Sequence, residues 1–172
     1  MIIYTLLSRL LDYPEPDLKG HVEFMRKLIA HEPSLNTAER GVISAFLDYL
    51  EATPQITLEE GYVQTFDMIP EHSLHLTHHL FGDDRGRGPA LVDLGEHYKG
   101  MGLEVKAGEL PDYLPLILEY VSTLDEMEAR VFLADAHKVV TVIAANLEQA
   151  GSPYAPLLRL VEGRGQLVRL AS

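Results

Sequence analysis

VFLADAHKVVTVIAANL, residues 131–147, is the stretch whose reading decides the fold. Its centre, VVTVIA (139–144), carries the β-branched residues of a strand. The residues on either side keep helical spacing, and the run is apolar around much of a helical circumference. The stretch is therefore predicted to be the central, most enclosed helix of an all-α protein. That helix should cover residues 124–150, opened by Thr123 and Glu126 as a capping box.

Outward from it, nearly every segment repeats the helical period. Leu6, Leu7, Leu10 and Leu11 form one face of a first helix that ends near Pro14. Leu18, Val22, Met25, Leu28 and Ile29 make a second apolar stripe. Asn36 and Glu39 are a capping box for a helix carried by Val42, Ile43, Phe46, Leu47 and Leu50. Thr57 and Glu60 repeat the pattern before Tyr62, Val63 and Phe66, with Pro70 as the stop. Further helices are expected over 71–81 and 89–100, followed by a loop at GMGLEVKAGELP (100–111). A short helix after Pro153 and Pro156 precedes a basic tail, GRGQLVRL (163–170). Residues 1–172 thus read as one domain, a single-domain helical bundle of about eight to nine helices. Repeats at solenoid periods are absent.

Composition bounds the function. The chain has 172 residues, 47% hydrophobic and 23% charged, which suits a folded globule with its own core. It has no cysteine, so disulfides, thiolate nucleophiles and cysteine-bound zinc are excluded, and a cytoplasmic location is expected. A formal charge of −12 repels a phosphate backbone, which argues against a nucleic acid partner. The same charge attracts a basic protein or peptide. MIIYTLLSRLLDYPEP (1–16) is interrupted by Arg9 and Asp12 and lacks a small-residue cleavage site, so it reads as a helix and not as a signal peptide. Direct membrane insertion is not expected, since no apolar run approaches the roughly 20 residues of a span.

Motifs for chemistry are sparse. His72, His75 and His79 fall in EHSLHLTHH (71–79) at helical spacing, an arrangement that would suit imidazole ligands on one face. They support an alternative reading as a helical metal-binding protein or metal-dependent enzyme, with Asp83 or Asp84 as a further ligand. No HExxH accompanies them, and a polar helix face is the plainer account. GDDRGRG (82–88) lacks the spacing and the lysine–hydroxyl pair of a phosphate loop, and reads as a locally paired turn. Ser44, Ser73 and Ser122 lie in no nucleophile motif. Glu109 and Asp112 in ELPDYLPLILEY (109–120) are better placed to open a helix, with Asp112 as N-cap, than to act as an acid–base pair. The chain is not expected to be an enzyme. Aromatic and acidic residues remain: Tyr62, Phe66, Asp67, Tyr113 and Tyr120. A groove made of them would accept a basic amphipathic helix, although periodicity does not separate such a groove from core packing.

Four stretches carry a resemblance: LLSRLLDYPEPDL (6–18), YVQTFD (62–67), LHLTHHLFGDDRGRGPALVDLGEHYKGMGLEV (74–105) and ELPDYLPLILEYVSTL (109–124). They resemble the NarJ family, the delta subunit or molybdenum cofactor assembly chaperone of respiratory nitrate reductase. That family lies within the TorD/DmsD-type redox-enzyme maturation chaperones. The resemblance implies a TorD-like all-helical chaperone without catalytic activity, a monomer or weak dimer. It implies binding to the basic amphipathic N-terminus of the apo catalytic (alpha) subunit, which is kept competent for molybdenum cofactor insertion before membrane attachment. No cofactor is expected to stay on the chaperone itself. The client groove would be lined by Tyr62, Phe66, Leu110, Leu114 and Tyr120, with Asp67, Glu109 and Asp112 meeting basic or backbone donors. The family's Glu-x-x-Asp-His motif is matched by Glu109 and Asp112, but Tyr113 stands at the histidine position, and a tyrosine gains no charge near neutral pH.

Overall fold

A computed structural model describes residues 1–82 and 84–166. Among them the chain turns from helix to helix, and a lone antiparallel bridge between His75 and Tyr113 stands in place of any sheet. The helices are α1 (Ile2–Leu11), α2 (Asp17–Gly20), α3 (Val22–His31), α4 (Thr37–Ala52) and α5 (Gln55–Tyr62). A π-turn (Val63–Asp67) and a 3-10 turn (Pro70–His72) lead into α6 (Leu76–Phe81) and α7 (Arg87–Gly100). Then follow α8 (Leu114–Val121), α9 (Glu126–Gln149) and α10 (Ala155–Gln166). The all-α expectation holds. Among the described residues there are ten α-helices where eight to nine were expected, and eight of them have seven residues or more.

Helix starts show which local signals win. Asn36 caps α4 as expected: its Oδ1 accepts the Glu39 N–H at 2.9 Å, and Glu39 Oε2 accepts the Asn36 N–H at 3.0 Å. The box of α9 is displaced by two residues. Asp125 and Glu128 close it, while the Thr123 hydroxyl turns back to donate to the Tyr120 carbonyl at 2.7 Å. The Thr57–Glu60 box does not form, because α5 begins at Gln55, directly after Pro54. Gln55 instead donates to the Pro14 carbonyl at 2.7 Å and ties α5 to the turn after α1.

The core is continuous. α1 packs chiefly on α8, α9 on α10 and α3 on α4. Leu7 and Leu11, Leu114 and Leu118, Ile143 and Leu147, and Leu157 and Leu158 are all buried between these layers. VVTVIA lies wholly within α9, where Val139, Val140, Ile143 and Ala144 face inward. The expectation of a helix enclosed on most sides is corrected: one face of α9 is buried, while Met127, Val131 and Val142 are exposed, and burial of that single helical face overrides β propensity. The tail GRGQLVRL is split: 163–166 belong to α10, and 167–172 lie outside the described residues. Among the described residues, no helix is long and apolar enough to cross a membrane.

α9 and α10 approach closely at Gly165, where an added Cβ would stand 2.8 Å from the Leu133 carbonyl oxygen. That atom is backbone and cannot swing aside. Gly165→Ala is therefore expected to destabilise the fold by about 1–3 kcal/mol, the usual cost of overpacking. A lowered thermal midpoint checks this, and an unchanged one would show that the two helices separate freely.

Candidate functional site

Residues 109–115 fold differently from a simple helix start. The Leu114 N–H donates to the Leu74 carbonyl at 2.9 Å, and the Leu76 N–H donates to the Asp112 carbonyl at 3.1 Å. This short pairing holds 73–75 extended, so the helix expected over 71–81 breaks into the 3-10 turn and α6. It also places the His75 and Tyr113 rings in a stack, with centroids 5.1 Å apart.

The Asp112 carboxylate turns inward and is 1% exposed. Its Oδ2 accepts the Thr77 N–H at 3.0 Å and the Thr77 hydroxyl, and its Oδ1 lies 3.2 Å from His75 Nδ1. Arg87 Nη2 stands 3.9 Å away, and Arg87 Nε donates to Thr77 Oγ1 at 3.0 Å. Burial alone pushes the Asp112 carboxyl up. The His75 and Thr77 donors outweigh it, and the group sits below the ordinary carboxylate range. The expectation that Asp112 caps its own helix is thus corrected. It caps α6 from across the fold by taking one of that helix's orphan N–H groups, while Tyr113 holds the N-cap position of α8. Pro115 then falls at the second helical residue, where a missing N–H costs nothing.

Tyr62 and Phe66 are core residues, 3% and 6% exposed. Their rings lie 4.7 Å apart, and both meet Tyr154, at 5.8 and 5.0 Å. The Tyr62 hydroxyl donates to the Leu11 carbonyl at 2.8 Å. The Tyr113 hydroxyl proton is shared between the Tyr62 oxygen, 2.5 Å away, and Asp12 Oδ1, 3.0 Å away. Burial drives the Tyr62 and Tyr113 phenols far above their ordinary range, so both stay neutral. Leu114 and Tyr120 are likewise buried. Asp67 and Leu110 are exposed.

The predicted residues therefore separate. Glu109, Tyr113 and Tyr120 come together in a cleft of about 420 Å³ between α1, α8 and the 103–109 loop. Tyr62, Phe66, Asp67, Leu110, Asp112 and Leu114 do not line it. Sequence reasoning missed Arg9, Asp12, Leu103, Glu104, Leu116 and Glu119, which do. Arg9, Asp12 and Glu119 carried a signal, the polar remainder of the α1 and α8 helical patterns, whereas Leu103, Glu104 and Leu116 carried none. The cleft gathers four carboxylates, Asp12, Glu104, Glu109 and Glu119, against Arg9 and Lys106. It presents an acidic wall beside apolar Leu103 and Leu116 and the Tyr113 ring.

The histidines do not converge. His72 Nδ1 lies 3.0 Å from the Thr65 carbonyl, and His79 Nε2 lies 2.7 Å from the Ser73 carbonyl. His75 faces Asp112. Burial lowers the His79 pKa and keeps that ring neutral. Asp84 accepts the Gly86 N–H at 2.8 Å, and Asp83 lies outside the described residues. Among the described residues, no group of three His, Asp or Glu is placed to hold a metal ion. The 82–88 turn is also less self-contained than expected, because Arg87 reaches Thr77 and Asp112.

Residues 32–159 match the family described as nitrate reductase delta subunit. The chain is 36% identical over 161 residues to the nitrate reductase molybdenum cofactor assembly chaperone NarJ of Escherichia coli (strain K12), covering 94% of this chain and 68% of that protein. It is 30% identical over 163 residues to the probable nitrate reductase molybdenum cofactor assembly chaperone NarJ of Bacillus subtilis (strain 168), covering 93% and 86%. It is 27% identical over 167 residues to the nitrate reductase-like protein NarX of Mycobacterium tuberculosis (strain ATCC 25618 / H37Rv), covering 97% of this chain and 25% of that one. With most of its length matched both by the family and by such relatives, the chain belongs to the nitrate reductase delta subunit family.

Proposed function

We propose that this chain is an assembly chaperone, without catalytic activity, that acts in the insertion of the molybdenum cofactor into the catalytic subunit of a nitrate reductase. The cofactor is the client's cargo; the chaperone's share is to hold the apo-subunit in the cytoplasm before membrane attachment. It does so by binding the client's N-terminal segment, which is amphipathic and basic. The observation that carries this reading is the α1–α8 cleft, whose four carboxylates stand next to Leu103, Leu116 and Tyr113. Cationic side chains meet the acidic wall while apolar ones leave water. Tyr113 contributes a flat neutral face at the position where the family motif has a titrating imidazole.

Calorimetric titration with a synthetic peptide of the client's N-terminal segment tests this. Binding is expected, and it should weaken as salt rises from 0.1 to 1 M, because the screening length falls from about 10 Å to about 3 Å. Removing two of the charges (Glu109→Gln with Glu119→Gln) should weaken it by roughly 2- to 10-fold, as suits exposed ion pairs. No heat change with wild-type protein at high micromolar peptide would sink the reading.

A further inference from the structure

α1 packs chiefly on α8 and α3 on α4, so α1 and α3 face one another across a groove of about 410 Å³ that none of the described residues fills. α1 contributes Ile2 and Leu6, four residues apart on one face, and α3 contributes Phe24, Met25 and Leu28. Two of these are left in water at the same place: Phe24 is 60% exposed and Ile2 is 45% exposed. Exposed apolar side chains are ordinary when scattered, but a contiguous set lining a groove marks a contact surface. Both walls are ten-residue helices, each about 15 Å long, which matches two to three turns of a guest helix.

Charge fixes what kind of guest. The α1–α2 connection and the first residue of α2 supply three carboxylates, Asp12, Glu15 and Asp17, against Arg9 and His21. None of the three forms an ion pair among the described residues. The groove is also continuous with the α1–α8 cleft, since Thr5, Arg9 and Asp12 line both. We infer that the α1–α3 groove receives the apolar face of the client segment as a short helix, with its cationic residues against Asp12, Glu15 and Asp17 and onward into the α1–α8 cleft. This rests on the client reading above and names the surface that supplies its apolar contact. That surface is not the Tyr62–Phe66 pair, which is already spent on the core.

The chain contains no tryptophan, so Phe24→Trp installs a sole indole in the groove, excited selectively at wavelengths where the tyrosines do not absorb. Titrated with the synthetic client peptide, its emission is expected to shift to shorter wavelength as the indole leaves water. In parallel calorimetry, Phe24→Ser should weaken peptide binding at least tenfold. Val142→Ser, on the exposed side of α9, should leave it unchanged. Both positions are more than half exposed, and overlaid thermal melts confirm that the variants are folded. Phe24→Ser binding within twofold of wild type, or an indole that does not respond while the peptide binds, overturns the groove assignment alone. A wild-type protein that binds no peptide overturns the client reading and the groove together.

Discussion

Asp112→Ala is expected to lower the unfolding free energy by about 3–5 kcal/mol, the cost of breaking a buried charged cluster on one side. The Thr77 N–H and hydroxyl lose their acceptor, and His75 and Arg87 lose the carboxylate they face. Asp112→Asn keeps the shape and one acceptor but turns a donor toward other donors, and should cost about 1–3 kcal/mol. Urea unfolding monitored by circular dichroism measures both. The pH dependence has a definite sign. A folded pKa held below the unfolded value of about 3.9 contributes stability that is complete above that value and is lost as pH falls through the folded one. Wild type should therefore lose stability in acid more steeply than Asp112→Ala. Because this carboxylate is internal, folded Asp112→Asn should bind client peptide as wild type does. A large affinity loss in a folded variant would place Asp112 at the client after all.

Arg164→Ala is expected to cost about 3 kcal/mol or more by the same physics. Its guanidinium is 5% exposed and grips Glu39 with both prongs, Nε to Oε1 at 3.0 Å and Nη2 to Oε2 at 2.9 Å, while also donating to the Ser34 carbonyl at 3.1 Å. Glu39 is at the same time half of the α4 capping box, so the ion pair steadies a helix start as well as a helix end. Arg164→Lys should recover little, because an ammonium cannot reproduce the fork. Pairing Arg164→Met with Glu39→Gln should be milder than Arg164→Ala alone, since no buried charge is then stranded. Equal losses for the single and the double variant would mean that packing, and not the ion pair, sets the cost.

Helix identity was legible wherever one face was apolar over three turns or more, as in α4 and α9. Helix starts were less so, because two candidate caps two residues apart are both good locally. Asp125 holds the cap, and the Thr123 hydroxyl bonds instead to the Tyr120 carbonyl in the preceding turn. The break at 73–75 was invisible because its cause lies nearly 40 residues downstream: Leu74 and Leu76 are held by 112–114 through backbone groups that carry no side-chain signature. The same pairing explains the misreading of Asp112, whose partner Thr77 belongs to a different helix. Tyr62, Phe66 and Leu114 show a further limit. An aromatic or apolar residue at helical spacing faces inward or lines a groove according to its neighbours in space, and here Tyr154 and the α1 leucines close over them. What composition did convey was the sign of the surface, and the cleft carboxylates follow it.

The seating of α1 on α8 has a consequence for how the molecule comes off the ribosome. The Ser8 hydroxyl donates to the Pro115 carbonyl across a sequence separation of 107, whereas α3 with α4 and α9 with α10 are neighbours along the chain. The two local hairpins can close as soon as they are synthesised. At about 5–20 residues per second, α1 waits roughly 5–20 seconds for the helix that covers Leu7 and Leu11. Of the described helices, α1 thus docks well after α3 and α4, its successors along the chain, have already paired. A nascent chain halted before residue 114 should expose that leucine face, a late closure set by topology and not by the strength of any single contact.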